Sequence, residues 1–257
     1  MHTHTALDST ITTLYRIAGL ASGVSQSIFC SFVVPVAFAS SAHAMGGDDP
    51  ILTMVKIDQL EWRDTNGPDP IYTQGEAWIG QDLNKLWFKG EYERRDGSTE
   101  EAELQALYSR GISPFWNVQV GIREDFKPEP SRSWIAFGFE GLAPYWFELD
   151  AALFVGESGR TGFRLEAEYE ILFTQRLILS PELEVNAYGK NDLDTGTGSG
   201  LSDTEIGLRL RYEIRREFAP YIGINWHKKY GNTSDYAREE GESVSDTSLV
   251  IGVRAWF

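Results

Sequence analysis

The sequence predicts an all-β chain folded as an antiparallel transmembrane barrel of about twelve strands. Three observations carry that expectation. Hydrophobicity alternates with period 2 from Met45 almost to the C-terminus, with no convincing stretch of period 3.6. Short and long connections alternate between the runs, as in a meander with tight turns on one rim and loops on the other. The last alternating run closes on Phe257, and Trp62, Tyr108, Trp116, Tyr145, Tyr212 and Trp226 recur near strand ends on the apolar face.

From the N-terminus, Arg16, the apolar stretch Ile28 to Ala39 and the small-x-small Ala42-His43-Ala44 make up the three parts of a secretory signal peptide, with cleavage expected after Ala44. Ser31 and Pro35 interrupt the apolar stretch, which is too short to cross a bilayer comfortably. Cys30 follows Phe29 and lies away from the cleavage point, which argues against a lipidated cysteine. Residues 45–54 then read as a short periplasmic segment, and 55–257 as the barrel.

Strands are expected near 55–63, 71–79, 85–94, 101–112, 115–126, 132–142, 145–156, 162–174, 176–189, 203–215, 218–230 and 245–257. The run 162–174 shows the pattern clearly. Phe163, Leu165, Ala167, Tyr169, Ile171 and Phe173 share one face, Arg164, Glu166, Glu168 and Glu170 the other, and Leu172 is the exception. Helical spacing would mix the two sets. The same design sets Ala102, Leu104, Ala106 and Tyr108 on one face, and likewise Leu249, Ile251, Val253, Ala255 and Phe257. Ser113-Pro114, Ala143-Pro144, Thr174-Gln175 and Arg215 to Glu217 are tight connections, whereas 95–100, 127–131, 156–161, 190–202 and 231–244 are long and polar. The Gly-rich run Gly196 to Gly200 reads as a flexible external loop, since no strand-loop-helix context or adjacent lysine accompanies it.

Alternation alone also fits a soluble secreted barrel or sandwich with its apolar side chains inside. Strands of about a dozen residues, the aromatic positions and the terminal Phe257 favour the membrane version, placed in the outer membrane of a Gram-negative bacterium with lipid and the barrel assembly machinery as partners.

Composition excludes several function classes. A formal net charge of -15 disfavours nucleic acid as a partner, because phosphate neutralisation needs a basic face. Removing residues 1–44 takes away Cys30 and His2, His4 and His43, leaving His227. Catalytic triads, histidine-pair zinc motifs and thiol chemistry then lack parts, so the expectation is a protein that is not an enzyme. A hydrolase resembling outer-membrane phospholipases would need a His-x-Ser pair, which His227-Lys228-Lys229 does not supply.

Several blocks then become recognisable in order. Asp58-Gln-Leu-Glu-Trp-Arg63, Asn84-Lys-Leu-Trp87, Leu107-Tyr-Ser-Arg110, Ser113-Pro-Phe-Trp116, Gly141 to Glu148, Val155 to Arg160, Leu165 to Tyr169, Thr174 to Leu179, Gly198 to Asp203 and Leu208 to Tyr221 resemble the outer-membrane copper resistance protein B family. The resemblance spans nearly the whole mature chain. It implies a barrel with a role in copper tolerance, copper ion as its ligand, and a periplasmic multicopper oxidase or copper carrier as partner. Members commonly carry a Met- and His-rich segment ahead of the barrel. Here it is reduced to Met45 through Thr53 without a histidine, which puts tight copper binding in doubt. The alternative is a general porin-like or structural barrel without copper specificity.

If the apolar face meets lipid, the lumen is heavily charged. Arg164, Arg209 and Arg211 with Glu182, Glu184 and Glu205 are the expected salt-bridge ladder, and the surplus carboxylates offer cations a path. Glu166, Glu168 and Glu170 on one inward face, His227 as the lone imidazole and Met54 at the barrel entrance are the candidate copper ligands. Phe257 is the candidate assembly signal.

Overall fold

In the computed structural model, residues 50–257 apart from Asn66 are described. The expected signal peptide, its cleavage point and most of the short segment after it lie outside the described residues.

The chain makes twelve antiparallel passes, each hydrogen-bonded to its neighbour in sequence, and closes on itself. The strands are β1 (Leu52–Asp64), β2 (Pro70–Gly80), β3 (Asn84–Arg95), β4 (Ser98–Ser113), β5 (Trp116–Lys127), β6 (Arg132–Ala143) and β7 (Phe147–Gly156). They continue with β8 (Thr161–Glu168), β9 (Ile171–Leu172), β10 (Leu177–Tyr188), β11 (Gly200–Tyr212), β12 (Phe218–Lys229) and β13 (Ser245–Trp256). β13 pairs with β1, so no sheet edge is left for another chain.

β8 and β9 are the two halves of one pass, expected as a single strand. The reason lies opposite them: Tyr169 N–H donates to the Pro181 carbonyl at 3.1 Å, and Pro181 has no N–H with which to reciprocate. β1 starts at Leu52, ahead of the boundary expected at 55, so Met54 is a strand residue. A bulge between Ile57 and Leu60 lets the consecutive Asp58 and Gln59 both reach inward partners.

The alternation resolves as a membrane barrel. Ile122, Ile135, Phe137, Phe139, Leu153, Ile222, Leu249 and Ile251 each stand at least half exposed on the outer wall, while Glu61, Glu103, Arg123, Arg164 and Arg209 are buried in the lumen. In water this distribution is inside-out; against lipid it satisfies both faces.

The heavily charged lumen also holds apolar side chains. Trp87, Leu107, Trp134, Ala136 and Phe154 form a buried apolar cluster inside the barrel, with Met54, Trp78, Ala152 and Tyr188 packed against it. Trp87 follows the parity of Lys89 and Glu91, and Phe154 that of Asp150, so the alternation did carry this placement.

The long-loop rim also departs from expectation. The connection 231–244 contains a ten-residue helix, α1 (Gly231–Glu240), although the sequence showed no helical period. Its stop is a Gly241 at φ 80° whose N–H bonds the Arg238 carbonyl, with Glu242 N–H on Ala237. Thr233, Ser234 and Ala237 are its buried residues. The Thr233 hydroxyl accepts from Gly198 N–H at 2.8 Å and lies 3.0 Å from the Ser202 hydroxyl, so the Gly-rich run is pinned under the helix.

Candidate functional site: the charged lumen

Inward residues come from every strand, and three ion-pair groups cross the interior. In the first, Arg164 of β8 donates to Glu91 of β3 at 2.9 Å and to both carboxylate oxygens of Glu103 of β4, while Arg123 of β5 reaches Glu103 at 2.7 Å and Asp125 at 2.6 Å. Asp125 also accepts the Trp134 indole N–H at 2.8 Å.

In the second, Glu61 of β1 accepts from Arg209 of β11 at 2.5 Å, from Arg63 at 3.0 Å and from the Tyr221 hydroxyl of β12 at 3.0 Å. Arg209 continues to Glu182 at 2.6 Å, and Arg63 to Glu205 at 3.0 Å while lying over the Tyr72 ring. Gly207 makes room for this: a Cβ there would stand 2.0 Å from the Arg209 guanidinium.

The third joins Arg254 of β13 to Glu168 at 3.0 Å and Asp58 at 3.5 Å, with Lys56 on Asp58 at 2.6 Å and Arg211 on Glu170. Elsewhere Lys89 pairs with Asp150, and Glu140 accepts from Gln119 at 2.5 Å.

Between these groups lies a cavity of about 400 Å³, walled by twelve carboxylates and six Lys or Arg side chains. The surplus of negative charge sits inside a wall that faces lipid, where counter-ions are held more strongly than in open solvent.

Outside the spanning segments, Asp192 of the β10–β11 connection is held below the ordinary aspartate range, first by its hydrogen bonds from Arg132. Arg132 engages it bidentately at 2.8 and 3.1 Å, and Arg160 adds a contact at 2.9 Å, so one carboxylate ties three long connections together.

The chain matches the family described as copper resistance protein B precursor over residues 51–257. It is 45% identical over 232 residues to a copper resistance protein B of Escherichia coli, covering 88% of this chain and 78% of that one. A copper resistance protein B homolog of Pseudomonas syringae pv. tomato is 48% identical over 210 residues, covering 82% and 71%. The chain belongs to the copper resistance protein B family. Among solved structures the NanC porin matches at a TM-score of 0.52 and 15% identity, over 79% of this chain and 99% of the other. The KdgM porin matches at 0.50 and 12%, over 79% and 99%. At such identities the likeness is one of fold, that of an outer-membrane porin barrel.

For a copper resistance protein B chain, the geometry separates the ligands expected from sequence. Glu168 and Glu170 are occupied by Arg254 and Arg211. Glu166 has no hydrogen bond or ion pair among the described residues, yet lines the cavity. Met54 packs with the Trp87 cluster, and His227 stands opposite Glu205 and Asp246 at the long-loop end of β12. The structure therefore does not gather these five into one centre. Among the described residues, the group of three or more acidic or His side chains whose ligand atoms lie within 4.8 Å of one another is Glu91, Glu101 and Glu103, which sequence reading did not single out as ligands. Arg164 and Arg123 already neutralise it. Of the expected ladder, Arg209 meets Glu182, Arg164 meets Glu184 at 3.5 Å, and Glu205 takes Arg63 instead of one of the three named arginines.

Proposed function

We propose that the protein is a non-enzymatic outer-membrane barrel that contributes to copper tolerance by admitting copper cations to its acidic lumen, working with periplasmic copper-handling partners. The family places it among copper resistance proteins, and the observation that carries the finer reading is the twofold excess of carboxylates over cations around the cavity. A cation entering it trades hydration for carboxylate oxygens that the protein's own arginines leave unneutralised. No soft sulfur cage is needed: His227 and Met54 stand apart, so the lumen holds copper weakly, as passage requires.

Deletion and complementation under copper stress tests this reading, scored beside zinc and silver. Copper sensitivity on deletion, rescued by the intact gene, is the expected result. Equal sensitivity to all three metals would instead favour a general porin or a structural barrel.

A further inference from the structure

The cavity is not placed symmetrically along the barrel. At the tight-turn rim it takes in Leu142 and Glu148, next to the ends of β6 and β7, and Arg211 next to that of β11. Toward the long loops its lining stops at Tyr72, Phe154 and Arg164, and neither of the two outermost residues of any strand belongs to it there. Bacterial barrels keep their tight turns in the periplasm and their long loops outside. The cavity therefore faces the periplasm.

What stops it is a layer of paired charges lying across the lumen. Arg164 leaves β8 and crosses to Glu91 of β3 and Glu103 of β4, and Arg123 of β5 holds Glu103 from the other side. The Arg164 Nε donates to Asn186 of β10 at 3.1 Å, and the Asn186 amide donates in turn to Asp203 of β11 at 2.9 Å. The sector of lumen that this chord cuts off between β4 and β8 is filled by Leu107, Trp134, Ala136 and Phe154, with the Arg123 guanidinium 4.5 Å from the Phe154 ring. On the opposite side Arg63 reaches Glu61 and Glu205 and covers the Tyr72 ring.

Exposure separates this layer from the cavity beneath it. The side chains of Arg164, Arg123, Glu103 and Glu91 are at most 9% exposed although they cross the interior of a barrel, whereas Glu168 and Glu170, nearer the tight turns, keep 20% and 35%. Water reaches the second set and not the first. Separating buried ion pairs is strongly unfavourable, so the layer is a barrier and not loose filling. It has one weak joint. Among the described residues no ion pair links the Arg164 group to the Arg63 group, and where the two meet, Glu184 of β10 stands opposite Glu205 of β11 as a cross-strand pair of like charges.

We propose that this layer is a gate that closes the barrel toward the long-loop side, that Arg164 is the side chain holding it shut, and that solutes reach the cavity through the periplasmic mouth. The joint between Glu184 and Glu205 is where the gate parts. The assignment follows from packing and pairing alone and holds whichever cation the lumen admits.

The test is thiol labelling in cells that lack general porins, with heat-modifiability on gels confirming that each variant assembles. A small charged methanethiosulfonate reagent is added either to intact cells or to broken outer membranes, and wild type without an added cysteine serves as the blank. Ala152→Cys places a thiol in the cavity wall opposite Arg164, and Ser245→Cys places one at the long-loop end of β13. Ser245→Cys is expected to label in both preparations, and Ala152→Cys in broken membranes alone. Adding Arg164→Ala, or Arg164→Gln where the alanine variant does not assemble, is expected to let Ala152→Cys label in intact cells. Adding Asp192→Asn, which loosens the long loops and leaves the layer untouched, is expected to leave it unlabelled there. Ala152→Cys that labels in intact cells as fast as Ser245→Cys overturns the gate. Ala152→Cys that stays unlabelled in broken membranes overturns the periplasmic mouth. Opening by Asp192→Asn, or by neither Arg164 variant, overturns the assignment to Arg164. Copper tolerance is read in none of these arms, so failure of the gate and failure of the copper reading are told apart.

Discussion

Arg209 and Glu61 meet at 2.5 Å across the lumen, although 148 residues separate them in sequence, and the Glu61 side chain has no solvent exposure. Glu61 accepts from Arg209, Arg63 and Tyr221, so it fastens β1, β11 and β12 at one point near the seam where β13 closes on β1. Glu61→Ala takes one of two carboxylate partners from each of two buried guanidinium groups, which keep Glu182 and Glu205, and losing a charged hydrogen bond costs about 1.5–3 kcal/mol. Denaturant unfolding of the folded gel band should show a loss of that order. Glu61→Gln, which keeps an acceptor, should lose less.

The three glutamates of the eighth pass should separate on substitution. Glu168 and Glu170 hold Arg254 and Arg211, so Glu168→Gln combined with Glu170→Gln leaves Arg211 without a carboxylate and Arg254 with Asp58 alone, and should lower the temperature at which the heat-modifiable band unfolds. Glu166 has no such partner among the described residues, so Glu166→Gln should change stability by no more than about 0.5 kcal/mol. Matching losses from both variants would show that Glu166 carries a structural pairing absent from this geometry.

Those glutamates also mark how far the sequence could be read. Side-chain period placed Glu166, Glu168 and Glu170 on one inward face, because each residue of a strand reports its own parity. It could not say which arginine each would meet. Arg164 reaches Glu91 and Glu103 across the lumen, 73 and 61 residues away, and such pairings depend on strand tilt and closure, properties of the whole sheet. The inward Trp87 and Phe154 were legible by the same parity rule, which sets them with Lys89, Glu91 and Asp150. Helix α1 was not legible. Its ten residues bury only Thr233, Ser234 and Ala237, too few to print a period.

Gly252 of β13 sits under the Tyr221 ring, where an added Cβ would stand 2.5 Å from the ring carbon and the hydroxyl. Gly252→Ala should therefore push the Tyr221 hydroxyl off Glu61 and destabilise the barrel by about 1–3 kcal/mol, the usual range for overpacking. Combining it with Tyr221→Phe measures how much of the loss runs through that hydroxyl. A double variant no less stable than Gly252→Ala alone means the hydrogen bond is already lost in the glycine variant.

The tie at Asp192 should respond to acid. Its carboxyl is held below the ordinary value of 3.8 by Arg132 and Arg160, so folding with this contact favours the ionised form. That stabilisation is complete above the ordinary range and falls away as pH drops through the lower folded value. Protease nicking of the connection 189–199 by an acid-active enzyme should rise steeply below pH about 4. Asp192→Asn, which cannot ionise, should be nicked readily at every pH tested. A wild-type profile as flat as that of Asp192→Asn would mean that Asp192 does not hold the connection.

Phe257 closes the sheet through its backbone and exposes its ring. Its N–H donates to the Val55 carbonyl at 2.8 Å and its carbonyl accepts from Val55 N–H at 3.1 Å, while 74% of its surface is exposed beyond the end of β13. The backbone bonds add one rung to a β13–β1 seam that already runs from Lys56–Trp256 to Asp64–Leu249. Losing one rung is worth about 1 kcal/mol, too little to undo a closed barrel. The exposed ring, by contrast, contributes little to packing, and any part it plays in assembly is played before the seam forms. Deleting Phe257 should therefore slow membrane assembly, seen as accumulation of the unfolded form in pulse-chase gels, with little change in the unfolding midpoint of the fraction that assembles. Phe257→Ala keeps both backbone bonds and should reproduce the assembly defect. If Phe257→Ala assembles at the wild-type rate while the deletion does not, the seam bonds and not the ring are what assembly requires.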